Sequence, residues 1–159
     1  MKTVYHYTCL AHLDDILTAG KLTTTEPNLQ PARGGGPRVV WLTTDPDCKY
    51  GHGLQAELTE TAALVRGITL TEGMREQWDK TRIRFTIRLP NGHVHRWRQW
   101  ALDHNADPMA TRQLVRAAAG GANTWRVVEH PILCDRWLEV LDRQTGEQLW
   151  VPVGRRDIA

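Results

Sequence analysis

The stretch TRIRFTIRL at residues 81–89 constrains the fold more than any other part of the chain. Apolar and polar residues alternate along it, so that four apolar side chains point to one side and the polar ones to the other. This period of two is typical of a β-strand with one buried and one exposed face. The chain is therefore predicted to contain a sheet that packs a core against one face.

The other predicted elements are mostly strands. Alternation and β-branched or aromatic content predict strands at residues 3–7, 38–44, 81–89, 124–128, 137–141 and 148–153. Helices are predicted at residues 10–19, before Gly20, and 108–119, after Asp107. Runs of strands with few helices indicate an α+β fold. A chain of 159 residues is expected to form one domain, 1–159, in which residues 45–80 are a variable insertion with a short helix.

Composition excludes several classes of protein. The sequence has no run of about 18 apolar residues, so no transmembrane helix is predicted, and the first residues contain no apolar signal segment. Three widely spaced cysteines favour a reduced, cytoplasmic compartment. No Cys-x-x-Cys pair is present, and His93 and His95 have no obvious third ligand. We therefore expect no metal site, and residues 93–95 are interpreted as a solvated hairpin.

Charge is distributed unevenly along the chain. Residues 1–80 contain 8 lysines and arginines against 10 acids, whereas residues 81–159 contain 12 arginines against 8 acids. The guanidinium group suits phosphates and stacks on bases. A G+C-rich genome also favours arginine over lysine, so both explanations of the arginine excess stay open.

Three polar features fall on predicted strands, while the usual nucleotide, hydrolase and metalloprotease motifs are absent. His6 lies between two tyrosines, Thr43 and Thr44 end the strand that contains Trp41, and Glu129 ends the strand TWRVV before a proline. Each alone has an ordinary structural explanation. An ionised carboxylate is costly when buried without a partner, so Glu129 is expected to face a cleft.

Together these features resemble the ADP-ribosyltransferases of the histidine type. YHYTCLAHLDDILTAGKL, at residues 5–22, resembles their opening, in which a strand hYHhT leads into xxLxxILxxGxL. VVWLTTDP and WRVVEHPILCDRWLEV are similar to the family's strand with a small hydroxyl residue and to its late glutamate segment. The resemblance covers roughly residues 3–44 and 124–141. The DarT DNA-modifying toxins and the tRNA 2′-phosphotransferases share this opening.

The resemblance implies a split antiparallel sheet with a cleft for NAD⁺, the co-substrate from which ADP-ribose is moved to a macromolecule. Glu129 would stabilise the oxocarbenium-like sugar as nicotinamide leaves, and Thr43 or Thr44 would fix that glutamate. His6 would bind the adenosine ribose hydroxyl and so position NAD⁺ for the reaction. Both His6 and Glu129 are expected to face one cavity.

The remaining pocket residues are implied in the same way. Backbone groups of Tyr7 or Thr8 would pair with the nicotinamide carboxamide. Trp41 or Tyr50 would stack on the nicotinamide ring, and the residues leave open which of the two does so. The second block lacks the tyrosine of the histidine–tyrosine–glutamate branch.

Substrate choice is expected to depend on residues 46–80 and 91–107. In HVHRWRQWALDH, Arg96 and Arg98 alternate with Trp97 and Trp100, a pattern of phosphate contact and base stacking used to hold single-stranded nucleic acid. A partly buried amphipathic segment explains the same pattern. Nucleic acid is the favoured acceptor and protein the second.

Two other functions are compatible with this sequence. An RNA 2′-phosphotransferase would use the same pocket, although Tyr5 stands where that family has arginine before the histidine. A non-enzymatic pseudoenzyme, such as a phage inhibitor, would bind a protein partner. The expected partners are therefore NAD⁺ and nucleic acid, with an antitoxin or a reversing hydrolase, and the chain is expected to be a cytoplasmic monomer.

Overall fold

The computed structural model describes residues 1–25, 37–49, 52, 64, 67, 69–118 and 120–152. The strands in this part are β1 (Lys2–Thr8), β2 (Lys21–Leu22), β3 (Val40–Thr43), β4 (Ile83–Leu89), β5 (His95–Arg96), β6 (Trp125–Val128), β7 (Ile132–Leu133), β8 (Trp137–Asp142) and β9 (Gln148–Trp150). The α-helices are α1 (Leu10–Ala19), α2 (Glu72–Trp78), α3 (Trp97–Asp103) and α4 (Pro108–Ala117).

Seven of the strands form one sheet in the order β5-β6-β3-β1-β4-β8-β9. Every neighbouring pair in it is antiparallel. The short strands β2 and β7 form a separate two-stranded ribbon. The predicted α+β class is therefore confirmed, with a mostly antiparallel sheet.

The alternation of residues 83–89 is also confirmed. Ile83, Phe85, Ile87 and Leu89 are buried on one face of β4, as a strand with a period of two requires. The predicted strand begins two residues too early, because Thr81 and Arg82 belong to the preceding turn. In that turn Asp79 accepts hydrogen bonds from the backbone N–H and the hydroxyl of Thr81.

Two hydrophobic clusters lie on opposite faces of the sheet. On one face, which we call the α1 face, Val4, Leu42 and Val128 pack with Leu13 of α1 and with the β2–β7 ribbon. On the other, which we call the α3 face, Val127 packs with α3 and the neighbouring strands. Successive residues alternate between these faces, so each strand position identifies the face of its side chain.

β1 and β3 share fewer registered residue pairs than any other neighbouring strands of the described sheet. β1 pairs with β4 through seven registered residue pairs, Lys2↔Leu89 to Thr8↔Ile83, whereas it pairs with β3 through one, Tyr5↔Thr43. β3 pairs on its other side with β6 through four pairs. We call this boundary the β1–β3 seam. The resemblance predicted a split sheet, and the seam is where the described sheet has its fewest pairs.

One helix and three short strands were not predicted. Helix α3 begins directly after β5, in the segment for which a nucleic-acid contact or an amphipathic stretch was predicted. Helix α2 lies in the described part of the segment 45–80, where a short helix was expected. Each has seven residues, too few to display a clear helical period.

Among the described residues, no helix has the length and apolar character needed to cross a bilayer.

A buried ion pair joins the turn before β4 to the end of β8, and it gives the stability of the chain a testable pH dependence. Arg82 donates to both carboxylate oxygens of Asp142, with Nη2 to Oδ2 at 2.8 Å and Nε to Oδ1 at 3.2 Å. The hydrogen bond from Arg82 holds the pKa of Asp142 below its usual range, and the N–H groups of Gln144 and Thr145 add to this against the opposing effect of burial.

Because this carboxyl group has a lower pKa in the folded chain, its contribution to stability exists above the unfolded pKa of about 3.9. That contribution is lost as the pH falls through the lower, folded pKa. We expect the free energy of unfolding, measured in urea between pH 6 and pH 2, to fall less steeply in Asp142→Asn than in the wild type. Asp14→Asn, at an exposed position of α1, should leave the slope unchanged. Equal slopes in all three proteins would contradict this assignment.

Candidate functional site

His6 stands at the seam, where β1 has only one registered partner on β3. Its Nδ1 lies 2.9 Å from the backbone oxygen of Trp41, so the imidazole occupies a position at which a regular ladder would pair backbone groups. A carbonyl oxygen only accepts, so Nδ1 must carry the proton. Within the described residues Nε2 has no hydrogen-bond partner, and the side chain is half-buried.

The ring of His6 is held neutral. Burial lowers its pKa from the ordinary value of 6.5, and His12 adds to this, while the hydrogen bond to Trp41 opposes it. The edge of Phe85 packs against the ring with 6.1 Å between centroids. A neutral imidazole with its proton on Nδ1 presents Nε2 as an acceptor, and a ligand hydroxyl is the donor that suits it.

The side chain of Tyr7 lies on the opposite face and has a structural role. Its hydroxyl donates to the backbone oxygen of Asp45 at 2.9 Å, and the guanidinium of Arg143 lies 5.4 Å from the ring centre. Burial raises the pKa of this phenol well above its usual value. Thr8 is also buried, so both residues leave only their backbone for the predicted carboxamide contact.

Asp45 organises the loop that follows β3. Its carboxylate accepts from the N–H groups of Asp47 and Lys49 and lies 2.9 Å from Nε2 of His52. Burial would raise the pKa of Asp45, but these hydrogen bonds outweigh it and hold the pKa below its usual range. The indole of Trp125 donates to Nδ1 of His52 at 3.0 Å. Both ring nitrogens of His52 are thus occupied, which indicates an anchor for the loop.

Thr43 and Thr44 contact the start of β6. The hydroxyl of Thr43 donates to that of Thr124 at 2.8 Å, and the N–H of Thr44 donates to the backbone oxygen of Thr124 at 3.0 Å. Glu129 follows the other end of β6, four positions after Trp125. The prediction that Thr43 or Thr44 fixes Glu129 is therefore wrong, because antiparallel pairing places the end of β3 beside the beginning of β6.

Glu129 lies against α3, on the face opposite His6. Its Oε1 accepts from the indole N–H of Trp100 at 2.7 Å and lies 3.4 Å from Nε2 of His104. Trp100 belongs to the cluster of the α3 face, whereas His6 contacts Phe85 of the α1 face. Two strand spacings of about 4.8 Å also separate β1 from β6.

The prediction that His6 and Glu129 face one cavity is therefore wrong. Its physical reason is the alternation of side chains: a residue's type and its place in the chain do not reveal the face, which depends on the register between strands that are not adjacent in sequence. Glu129 is exposed, and it faces α3 rather than the seam.

The two predicted stacking candidates are not equivalent. Trp41 alternates away from the seam onto the α3 face, where its ring centre lies 6.0 Å from Trp97 and 5.6 Å from Trp125. Trp41 is therefore part of an aromatic cluster opposite His6. Tyr50 lies outside the described residues.

The predicted base-stacking tryptophans are core residues. Trp97 is fully buried and Trp100 is 3% exposed, both in the cluster of the α3 face. Their assignment to nucleic-acid stacking is wrong, because α3 turns both rings toward the sheet, and the alternative of an amphipathic segment is the correct one. Arg96 and Arg98 are exposed, as a phosphate contact requires.

Arg126 on β6 is a polar residue that the sequence did not single out. Its register partners are Leu42 on β3 and Arg96 on β5, so the side chain starts from the α1 face. The Tyr5↔Thr43 pair places His6 opposite Leu42. His6 and Arg126 therefore occupy one transverse row. The sequence contained a signal for this position, because side chains alternate along TWRVV and Arg126 therefore points to the face opposite that of Trp125 and Val127.

Two other groups of polar residues occur in the described part. A cavity of about 450 Å³ between α2 and the turn after β8 is lined by Arg75, Arg82 and Arg143, and Arg143 also stacks on Tyr7. His93 and His130 lie 3.2 Å apart, but no group of three potential metal ligands occurs among the described residues.

Comparisons with known protein families, with characterised proteins and with solved structures find no match for this chain.

Proposed function

We propose that this chain binds NAD⁺ at the β1–β3 seam, on the face of His6, and transfers ADP-ribose to a macromolecule, with nucleic acid favoured over protein. The observation that carries the proposal is the state of His6. Its Nδ1 is fixed by the carbonyl of Trp41, and its Nε2 is left as an acceptor at the weakest boundary of the sheet. The resemblance of residues 5–22 to ADP-ribosyltransferases supports the same assignment.

In this proposal His6 positions the co-substrate. Nε2 accepts a hydrogen bond from a ribose hydroxyl of NAD⁺, and backbone groups of Tyr7 or Thr8 pair with the carboxamide. The bond between the ribose carbon and the nicotinamide nitrogen breaks, and its electron pair leaves with neutral nicotinamide. An acceptor oxygen or nitrogen then bonds to that carbon and gives up its proton to the solvent. Holding the reactants in this geometry supplies a large part of the rate.

Glu129 has no part in the revised site, because its carboxylate faces α3. The indole of Trp100 and the imidazole of His104 occupy the carboxylate on that side. Glu139, a second carboxylate late in the chain, accepts hydrogen bonds from Arg84 and Thr86 on the α3 face.

Exposed arginines on α3 and α4 offer contacts for a nucleic acid, on the face opposite His6. Arg98 on α3 and Arg112 and Arg116 on α4 are exposed, and none has an ion-pair partner among the described residues. With the tryptophans buried, contact with phosphates is the interaction that these helices offer. Binding of nucleic acid should then weaken steeply with salt.

The position of Glu129 also favours a second candidate, the non-enzymatic pseudoenzyme. A chain that retains the nucleotide-holding histidine without a carboxylate beside it would bind NAD⁺ or a protein partner and release no nicotinamide. The two candidates differ in one observable quantity, the release of nicotinamide.

The test is an incubation of the chain with labelled NAD⁺ and separate pools of DNA, RNA and protein. The proposal expects nicotinamide release together with label in the DNA or RNA pool. Binding of NAD⁺ without release would establish the pseudoenzyme, and label in the protein pool alone would overturn the acceptor. An RNA with a 2′-phosphate end, added in a parallel reaction, would lose that phosphate if the chain were a 2′-phosphotransferase.

Replacing Glu129 with glutamine is expected to leave the rate of nicotinamide release within about twofold of the wild type. The amide oxygen of glutamine still accepts from Trp100, and the lost charge lies on the face opposite the seam. The measurement is single-turnover nicotinamide release at saturating NAD⁺. A loss of about 100-fold, typical of a missing electrostatic contact in a transition state, would restore Glu129 to the active site.

A further inference from the structure

Arg126 and Arg96 stand directly opposite each other on the neighbouring strands β6 and β5. Like charges in a cross-strand pair destabilise a sheet, since the two side chains start about 5 Å apart on the same face. No carboxylate lies within ion-pair distance of either guanidinium in the described part of the chain. A negative charge beside this pair would offset the repulsion.

The guanidinium of Arg126 is held in place and incompletely satisfied. Its Nη1 donates to the backbone oxygens of Trp125, at 2.6 Å, and Asn123, at 3.0 Å, which fixes the plane of the group. Its Nε is buried and has no hydrogen-bond partner among the described residues. Burial lowers the pKa of Arg126 and the charge of Arg96 lowers it further, so an added anion would relieve both effects. Buried unpaired donors are rare in folded proteins.

The pair lies in the same transverse row as His6. Across the sheet the row runs from His6 through Leu42 to Arg126 and ends at Arg96 on the edge strand β5. Two strand spacings, about 10 Å in total, separate β1 from β6. This is roughly the span of a ribose with its attached diphosphate, and a ligand that contacts both side chains must pass above Leu42, which is buried in the core of the α1 face. A planar guanidinium with parallel N–H groups matches phosphate oxygens better than any other side chain.

We propose that Arg126 and Arg96 bind the diphosphate of the nucleotide whose ribose hydroxyl is held by His6. This inference rests on the proposed function, because it uses the same seam and the same ligand. The two arginines are a binding site for the phosphate groups, and His6 is the anchor for the sugar.

Titration calorimetry at low salt with ADP-ribose, adenosine and inorganic pyrophosphate tests the inference on the full chain. Arg126→Gln should weaken binding of ADP-ribose and pyrophosphate about tenfold or more, as expected for a lost charged hydrogen bond, and should leave adenosine unchanged. Arg126→Lys should recover part of the loss, since it retains the charge without the fork. Arg88→Gln, an exposed arginine of β4 outside the row, is the matched control and should bind all three ligands like the wild type.

Stability measurements separate this role from a structural one. Arg126→Gln removes a repulsion, so without ligand it should melt no lower than the wild type, and pyrophosphate should raise the melting temperature of the wild type only. ADP-ribose binding that depends on His6 but not on Arg126 would overturn the inference and leave the proposed function intact. If pyrophosphate binding depends on Arg126 but ADP-ribose binds no more tightly than pyrophosphate, the anion site is supported and the proposed function is overturned.

Discussion

Replacement of Trp97 with alanine is expected to lower the free energy of unfolding by about 3–5 kcal/mol, the usual cost of deleting a buried indole. Trp97 is fully buried, and its ring centre lies 5.2 Å from that of Trp125 and 6.0 Å from that of Trp41. These contacts join α3 to β3 and β6. Urea unfolding followed by tryptophan fluorescence and by circular dichroism measures the loss.

Two variants make this prediction specific. Trp97→Phe retains an aromatic ring and removes an indole N–H that has no partner in the described part of the chain, so it should cost much less than alanine. Arg98→Gln, on the exposed side of the same helix, should leave stability unchanged within about 0.5 kcal/mol. If Trp97→Ala were as stable as the wild type and lost only its affinity for single-stranded nucleic acid, Trp97 would be a stacking residue after all.

Replacement of His6 with alanine is expected to weaken NAD⁺ binding about tenfold and to slow nicotinamide release about 100-fold. The first effect follows from the lost hydrogen bond to a ribose hydroxyl, and the second from the loss of positioning. Calorimetric titration of NAD⁺ and single-turnover nicotinamide release give the two values. An effect on stability is also expected, because the contact with the carbonyl of Trp41 is lost.

The two nitrogens of His6 can be tested separately. Asparagine places its amide near Nδ1, so His6→Asn should keep the hydrogen bond to Trp41 and the melting temperature but lose NAD⁺ binding. Glutamine places its amide near Nε2, so His6→Gln should retain more of the NAD⁺ affinity at a lower melting temperature. Should His6→Asn bind NAD⁺ as the wild type does, Nε2 is not a ligand contact and the site is elsewhere.

Local patterns predicted the elements of this chain better than they predicted its faces. The alternation at residues 83–89 and the glycine after α1 are signals confined to one segment, and both matched the structure. Gly20 has a φ of 60°, the left-handed conformation that ends helices. The helix of Trp97 and Trp100 escaped prediction because alternating arginine and tryptophan in a seven-residue element imitates a binding surface.

The site depended on information that no single segment contains. Whether Glu129 shares a face with His6 depends on the registers β1–β3 and β3–β6, which join residues more than 30 positions apart. The same registers bring Arg126 into the row of His6, although the two residues are 120 positions apart. Sequence patterns could identify His6 as unusual, but only the pairing of strands could identify its neighbours.

Backbone amide chemical-shift mapping during an NAD⁺ titration reports the binding face without a requirement for turnover, and so tests whether NAD⁺ binds at the β1–β3 seam. Shifts are expected at His6, Tyr7, Thr8 and Leu42, extending to Arg126. In His6→Asn, NAD⁺ should no longer cause these shifts, while the spectrum of the free protein should otherwise be retained. Shifts centred instead on Trp100, His104 and Glu129, or no shifts at millimolar NAD⁺, would contradict an NAD⁺ site at the β1–β3 seam.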